Sequence, residues 1–189
     1  MIEDEDGLDT ESTGPDRGMY YGKYRGTVMN NIDPEFRGRL LVQVPDVFGI
    51  NISSWALPCI PFGGLQSGAY VVPPLKSQVW IEFEQGDPDY PIWVGGFWGN
   101  MQDVPVTTKA SVAPPPGQNI VIQTLGQTML SLSDNPAPMV GGITLKTHTS
   151  MINITDSQII LQCGLTSMVI GPGPVVTFNT GTPFALVVK

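Results

Sequence analysis

At 189 residues the chain has room for one ordinary domain or two small ones, and a hydrophobic content of 41% is enough for a core. Its 22 glycines and 18 prolines interrupt it too often for long helices and favour many short strands. The net charge of −8 comes with no clustered basic patch, which argues against a nucleic-acid partner. No apolar run reaches the roughly 18 residues that a membrane-spanning helix needs.

Residues 1–18 hold Glu3, Asp4, Glu5, Asp6, Asp9, Glu11 and Asp16 against Arg17 alone, a net charge of −6. With almost no apolar side chain to bury, this segment is expected to be a disordered acidic tail. Its opening, Met-Ile-Glu-Asp-Glu-Asp, reverses the layout of a signal peptide, so synthesis in the cytoplasm without export by the usual routes is expected. Cys59 and Cys163 fall in different predicted domains, which points to reduced thiols and not a structural disulfide.

Residues 19–100 are rich in aromatics, Val and Ile, with turn signals at regular spacing. Strands are predicted at 20–29, 39–44, 78–84 and 91–97. Alternation is plain in Leu40, Val42 and Val44 and again in Val79, Ile81 and Phe83. The turns Asn30-Asn31-Ile32-Asp33-Pro34 and Gly86-Asp87-Pro88-Asp89 set Asx side chains beside a φ-fixing proline. About five strands in some 80 residues suit a small barrel such as an OB-fold. Residues 101–117 read as a linker that ends in Pro114-Pro115-Pro116-Gly117, a stiff polyproline segment.

Residues 118–189 differ in texture and carry only Asp134, Lys146, Asp156 and Lys189 as charges. Apolar residues recur in alternating pairs: Ile120/Ile122, Leu130/Leu132, Ile143/Leu145, Ile152/Ile154, Ile159/Leu161, Met168/Ile170, Val176/Phe178 and Leu186/Val188. Each predicted strand thus has one apolar face and one of Gln, Thr, Ser and Asn. Ile154 is expected on a dry axis and Asn153 in water. Such strands need partners, and three chains wound about one axis supply them better than a single-chain coil, which uses about 20 residues or more per turn. At ~4.8 Å per strand step, eight strands would advance roughly 40 Å.

No catalytic constellation is visible. His148, the sole histidine, is expected as a solvated side chain on the face opposite Ile143 and Leu145. Asp33, Asp87 and Asp89 each lie next to proline in a turn, where capping accounts for them, and Arg39 is expected to pair with one of them or to contact a partner. Among Trp55, Trp80, Trp93 and Trp98, barrel packing is assigned within the strands of Trp80 and Trp93, and stacking on single-stranded nucleic acid lacks a basic groove to support it. Cys163 shares a face with Ile159 and Leu161 and is expected as buried filler on the axis.

Read together, several segments resemble the spike proteins of contractile tails: phage baseplate assembly protein V, the valine-glycine repeat spikes of type VI secretion, and spikes of extracellular injection systems. The resemblance lies in Gly22–Val28 with Gly26, in Asp33-Pro34-Glu35, in Gly38-Arg39 through Pro45, and in Ser54-Trp55-Ala56. It resumes at Val72-Pro73-Pro74, Gln78–Phe83 and Gly86-Asp87-Pro88 through Gly96.

The resemblance implies an all-β protein: an N-terminal OB-fold followed by an intertwined triple-stranded β-helix needle in a homotrimer. Ile143, Leu145, Ile152, Ile154, Ile159, Leu161, Met168 and Ile170 would form the axial core. It further implies a structural, non-enzymatic role without cofactor, in a phage tail or injection particle that acts at a target envelope. A separate hub protein would hold the OB-folds. A small tip protein of the Pro-Ala-Ala-Arg (PAAR) kind would cap Phe184, Leu186 and Val188, and cargo effectors are further partners of this class. Some relatives bind an ion at the needle tip through His-x-His, a pattern this sequence lacks. The seventeen-residue linker leaves no room for the lysozyme domain that some phage relatives insert. The alternative reading is an OB-fold receptor- or glycan-binding module on a β-solenoid stalk.

Overall fold

Alternation sets the inward face of each long strand in the first half. The computed structural model describes residues 18–110, 118–136, 141–174, 176–180 and 185–188, and divides after Gly99 into two units. The acidic tail over 1–17, the prolines 114–116 and Phe184 lie outside the described residues.

The first unit runs β1 (Tyr24–Asn30), β2 (Leu41–Gln43), a helical turn α1 (Pro45–Phe48), three two-residue strands β3 (Leu57–Pro58), β4 (Gly63–Gly64) and β5 (Ser67–Gly68), then β6 (Gln78–Phe83) and β7 (Pro91–Phe97). Five strands form one sheet in the order β2-β1-β6-β7-β3, antiparallel except where β3 meets β7. The hairpin β4–β5 stands apart from it. Val79, Ile81 and Phe83 of β6 point inward and meet Val28, Leu40, Val42, Val44, Ala56 and Trp93 in the core. Bridges Leu40–Ala56 and Gln43–Ile52 curl the chain around that core. At Gly26 a Cβ would lie 2.8 Å from Ile81 Cγ1, so only glycine lets β1 approach β6 this closely.

The four predicted strands correspond to β1, β2, β6 and β7. The first begins at Tyr24, later than expected, because Gly22 takes φ +87° and breaks the extended run. Tyr20 then donates its N–H to Gly86 O at 2.8 Å and sets its ring 6.0 Å from those of Tyr24 and Phe83. Between β6 and β7 the register slips by one residue at Trp80/Ile81, leaving Val94 as the extra residue of a bulge.

The second unit opens with a short helix, α2 (Val106–Ala110), inside the segment expected to be a linker; Asn119 Nδ2 donates to Thr108 O at 3.3 Å. Eight strands follow: β8 (Asn119–Gln123), β9 (Met129–Ser133), β10 (Gly142–Lys146), β11 (Ser150–Ile154), β12 (Ile159–Cys163), β13 (Thr166–Ile170), β14 (Val176–Thr180) and β15 (Ala185–Val188). Each pairs antiparallel with the next, so the sheet order is the chain order. The expectation that these strands lack partners in their own chain is therefore corrected. Each strand lies beside its predecessor, and the ladder is made within one chain.

Three of the turns share one device. Thr124, Thr147 and Thr155 each donate N–H to the carbonyl that closes the turn, at Thr128, Ser150 and Gln158. Each threonine Oγ1 then accepts the N–H of that same closing residue at 3.2 Å. At the start of β10, Gly142 (φ +73°) passes so close to β11 that a Cβ would sit 2.0 Å from Ile154 O.

Candidate functional site

Because a strand repeats every two residues, the meander register aligns the apolar pairs into two rows. One row runs Ile120, Leu132, Ile143, Ile154, Ile159, Ile170 and Val176, and its register continues to Val188. The other runs Ile122, Leu130, Leu145, Ile152, Leu161, Met168 and Phe178, and continues to Leu186. No polar residue interrupts either row. In the single chain this face is largely open: Ile143 and Leu145 are 46% and 48% exposed, with Ile152, Ile154, Ile159 and Leu161 close behind. Leu145, Ile152, Leu161, Met168 and Phe178 also line a hollow of ≈510 Å³. A continuous apolar surface of this extent marks a site that another molecule covers.

The opposite face departs from expectation. Its middle row, Ser131, Thr144, Asn153 and Ile160, is buried. Asn153, expected in water, has no exposed surface; its Nδ2 donates to Gly141 O at 3.0 Å and to Thr144 Oγ1 at 2.9 Å. Asn153 Oδ1 and Ser131 Oγ have no protein partner among the described residues. The register sets Thr144 between Ser131 and Asn153 and Asn153 between Thr144 and Ile160, so Asn153 meets protein partners in place of water; Val169, next in the row, is only half-buried.

One further residue differs from the reading above. His148 is exposed, as expected, but lies in the turn between β10 and β11 and not on a strand face. Cys163 is exposed in the single chain, its Sγ 3.4 Å from Ser150 Oγ, and Cys59 is likewise a free, exposed thiol.

In the first unit the motif residues converge on a clamp across the β1–β2 loop. Asp33 Oδ1 accepts from Arg39 Nη2 and Nε at 2.7 and 3.1 Å and from Glu35 N–H at 3.0 Å. Its Oδ2 accepts from the N–H groups of Arg37 and Arg39 at 2.8 and 3.2 Å. The Arg39 guanidinium lies 5.4 Å from the Trp55 ring centre and also reaches Glu35 at 2.9 Å. The Arg39 pair, and after it the three backbone donors, hold the Asp33 carboxyl well below the usual carboxylate range, against the opposing effect of burial. The same pair raises the Arg39 pKa. Pro34 occupies the turn closed by Phe36 N–H to Asp33 O at 3.1 Å. Gly38 (φ +76°) offers its carbonyl to Trp93 Nε1 at 3.0 Å.

Gly86, Asp87 and Pro88 build a separate turn in which Asp87 Oδ1 caps Asp89 N–H at 2.9 Å. Asp33 and Asp87 thus act as turn caps, and Arg39 pairs with Asp33. Among the described residues no three His, Cys, Asp or Glu side chains gather to hold a metal ion, and no helix is long and apolar enough to cross a membrane. Trp93 is buried in the core. Trp80 packs on the outer side against Phe97, ring centres 4.5 Å apart, with Arg25 5.8 Å from its own ring centre.

A closed barrel joined to a sheet with an uncovered apolar face defines a protein built to assemble through its second half. Residues 24–98 match the type VI secretion system/phage-baseplate injector OB domain, and residues 119–182 match the phage baseplate V C-terminal trimerisation domain. The chain belongs to this family of baseplate spike proteins. No curated protein matches it in sequence.

Proposed function

We propose that three copies close their apolar rows on one another to form the needle of a contractile injection machine, with Ile143, Leu145, Ile152, Ile154, Ile159, Leu161, Met168 and Ile170 on its axis. The OB units would dock on a separate hub protein, and contraction would drive the needle through a target envelope. The observation that carries this reading is the pair of unbroken apolar rows, in a chain whose family contains a trimerisation domain. A mechanical role suits such an object: every rung is hydrogen-bonded to the next, and the half-exposed Ile and Leu side chains gain burial only by association. The reading assigns no catalytic step and no cofactor.

At the far end β15 is the last strand of the sheet among the described residues. A PAAR-type tip protein docking there, at Phe184, Leu186 and Val188, would cover that edge. Light scattering should give three times the 20.4 kDa chain mass; a monomer would overturn the needle. Capture of the tip protein by wild type and by Leu186→Asp tests the docking, and equal capture by both would leave it unsupported.

A further inference from the structure

The two edges of the eight-stranded sheet are unlike. At one edge β8 turns into β9, β10 into β11 and β12 into β13; at the other β9 leads to β10 and β11 turns into β12. Between Gln118 and Val188 the chain carries three charged side chains, and they are sorted by edge. Lys146 ends β10 at the first edge, whereas Asp134 and Asp156 lie at the second. Lys146 and Asp156 are exposed, and neither has an ion-pair partner among the described residues. Asp134 Oδ2 already accepts the N–H of Gln118 at 2.8 Å. Shape is sorted too. The hollow of ≈510 Å³ lies at the first edge, where Leu145, Ile152 and Leu161 wall it and Lys146 adjoins them, and the other apolar row takes no part in it. In that other row Ile154 and Ile159 pair across the β11–β12 turn, both half-exposed, with Asp156 between them in the chain.

We propose that the hollow of one copy receives the β11–β12 turn of the next, with Ile154 and Ile159 against Leu145, Ile152 and Leu161, and Lys146 against Asp156. The proposal rests on the trimeric reading above and assigns the edges by which its copies meet. Symmetry supplies the first step. Around a threefold axis running along the rows, each copy turns one edge to one neighbour and the other edge to the second, so unlike edges always meet. Chemistry supplies the second step. A hollow faces an isoleucine pair and a base faces an acid, whereas like edges would set Lys146 against Lys146 or Asp156 against Asp156. Reach agrees: β10 and the β11–β12 turn are one to two steps of ~4.8 Å apart along the sheet, within the span of a lysine side chain. The junction fits one way round. A neighbour turned upside down would bring like edges together, so the ring closes with its copies parallel.

The test is charge exchange in the full-length protein: Lys146→Glu, Asp156→Lys and the double variant, with trimer formation after dilution from urea followed by light scattering at low and high salt. Both side chains are exposed, so each variant should fold; Lys146→Gln and Asp156→Asn serve as milder versions. We expect either reversal to slow trimer formation about tenfold at low salt, the loss to shrink at about 1 M salt, and the double variant to return to within about twofold of wild type. If wild type forms a trimer and the double variant is as slow as the two single losses multiplied, Lys146 and Asp156 do not meet and the junction is wrong while the needle stands. Rescue of Lys146→Glu by Asp134→Lys in place of Asp156→Lys would overturn the junction as well. Reversals that leave assembly untouched at low salt would give these edges to a different protein, and the proposal fails. A monomeric wild type overturns both readings together.

Discussion

Replacing Asn153 by alanine removes two hydrogen bonds from the interior of the second unit without touching the apolar rows. Its amide is the donor to Gly141 O and Thr144 Oγ1, and the side chain has no exposed surface through which water could take its place. Leaving two buried acceptors without a donor costs roughly 1–3 kcal/mol each, less whatever Thr144 recovers by turning its hydroxyl, so about 2–4 kcal/mol in total. For a unit of this size the melting temperature should fall by on the order of 10 °C. Asn153→Asp should be worse, because it exchanges a donor for a charge that faces two acceptors. The neighbouring Ile154→Asp acts differently. It sits on the open face, and in the proposed needle its cost would arise where three copies meet, at roughly 3–5 kcal/mol for each unpaired buried charge. Thermal unfolding across a concentration series, with light scattering alongside, separates the two effects. Asn153→Ala should lower the melting temperature with the trimer mass retained at low temperature, whereas Ile154→Asp should shift the mass itself. An Asn153→Ala protein melting within about 1 °C of wild type would refute the buried polar row.

Gly142→Ala should prevent β10 from pairing with β11, since its Cβ would lie 2.0 Å from Ile154 O; soluble expression with wild-type circular dichroism would contradict this. Asp33→Asn tests the loop clamp through pH. The folded carboxyl titrates well below its unfolded value near 3.9, so the stability it supplies is complete above about pH 4 and is lost as pH falls toward the folded value. The variant should therefore be less stable at neutral pH and lose less on acidification; parallel pH–stability curves would rule the clamp out. Trp93→Phe leaves Gly38 O without its indole donor and should cost about 1–3 kcal/mol in urea unfolding, with no change in trimer mass.

Much of this architecture was legible because a strand writes itself into sequence as a period of two. The eight apolar pairs fall on the eight strands of the second unit, and Leu40/Val42/Val44 and Val79/Ile81/Phe83 fall in the core of the first. Alternation, however, separates two faces without saying which is covered, and that is where Asn153 was misplaced. A polar residue within a short strand reads as solvated, yet here a backbone carbonyl and a cross-strand threonine take its amide hydrogens. The two-residue strands β3, β4 and β5 left no trace, since two residues cannot display a period. The Asp33–Arg39 pair was within reach because an Asx turn needs a counter-charge when it is buried; the stacking of Arg39 on Trp55 was not, because nothing local links positions sixteen apart.

The two halves complete themselves at different levels. The barrel buries Val28, Leu40, Val42, Val79 and Ile81 with no exposed surface, so its hydrophobic gain is realised within one chain. The meander satisfies its internal backbone hydrogen bonds within one chain but leaves its best apolar side chains half in water. Hydrogen bonds exchanged against water contribute little net stability, while burial of Ile and Leu contributes most of it. A lone copy of the second unit therefore has its topology specified before it has the stability to keep it, and an apolar face open to any passing strand. Association supplies what is missing without altering the register, which identical copies already share. Folding of the needle and formation of the trimer should thus be one event, and the barrel, which needs no partner to close its core, can be in place before that event occurs.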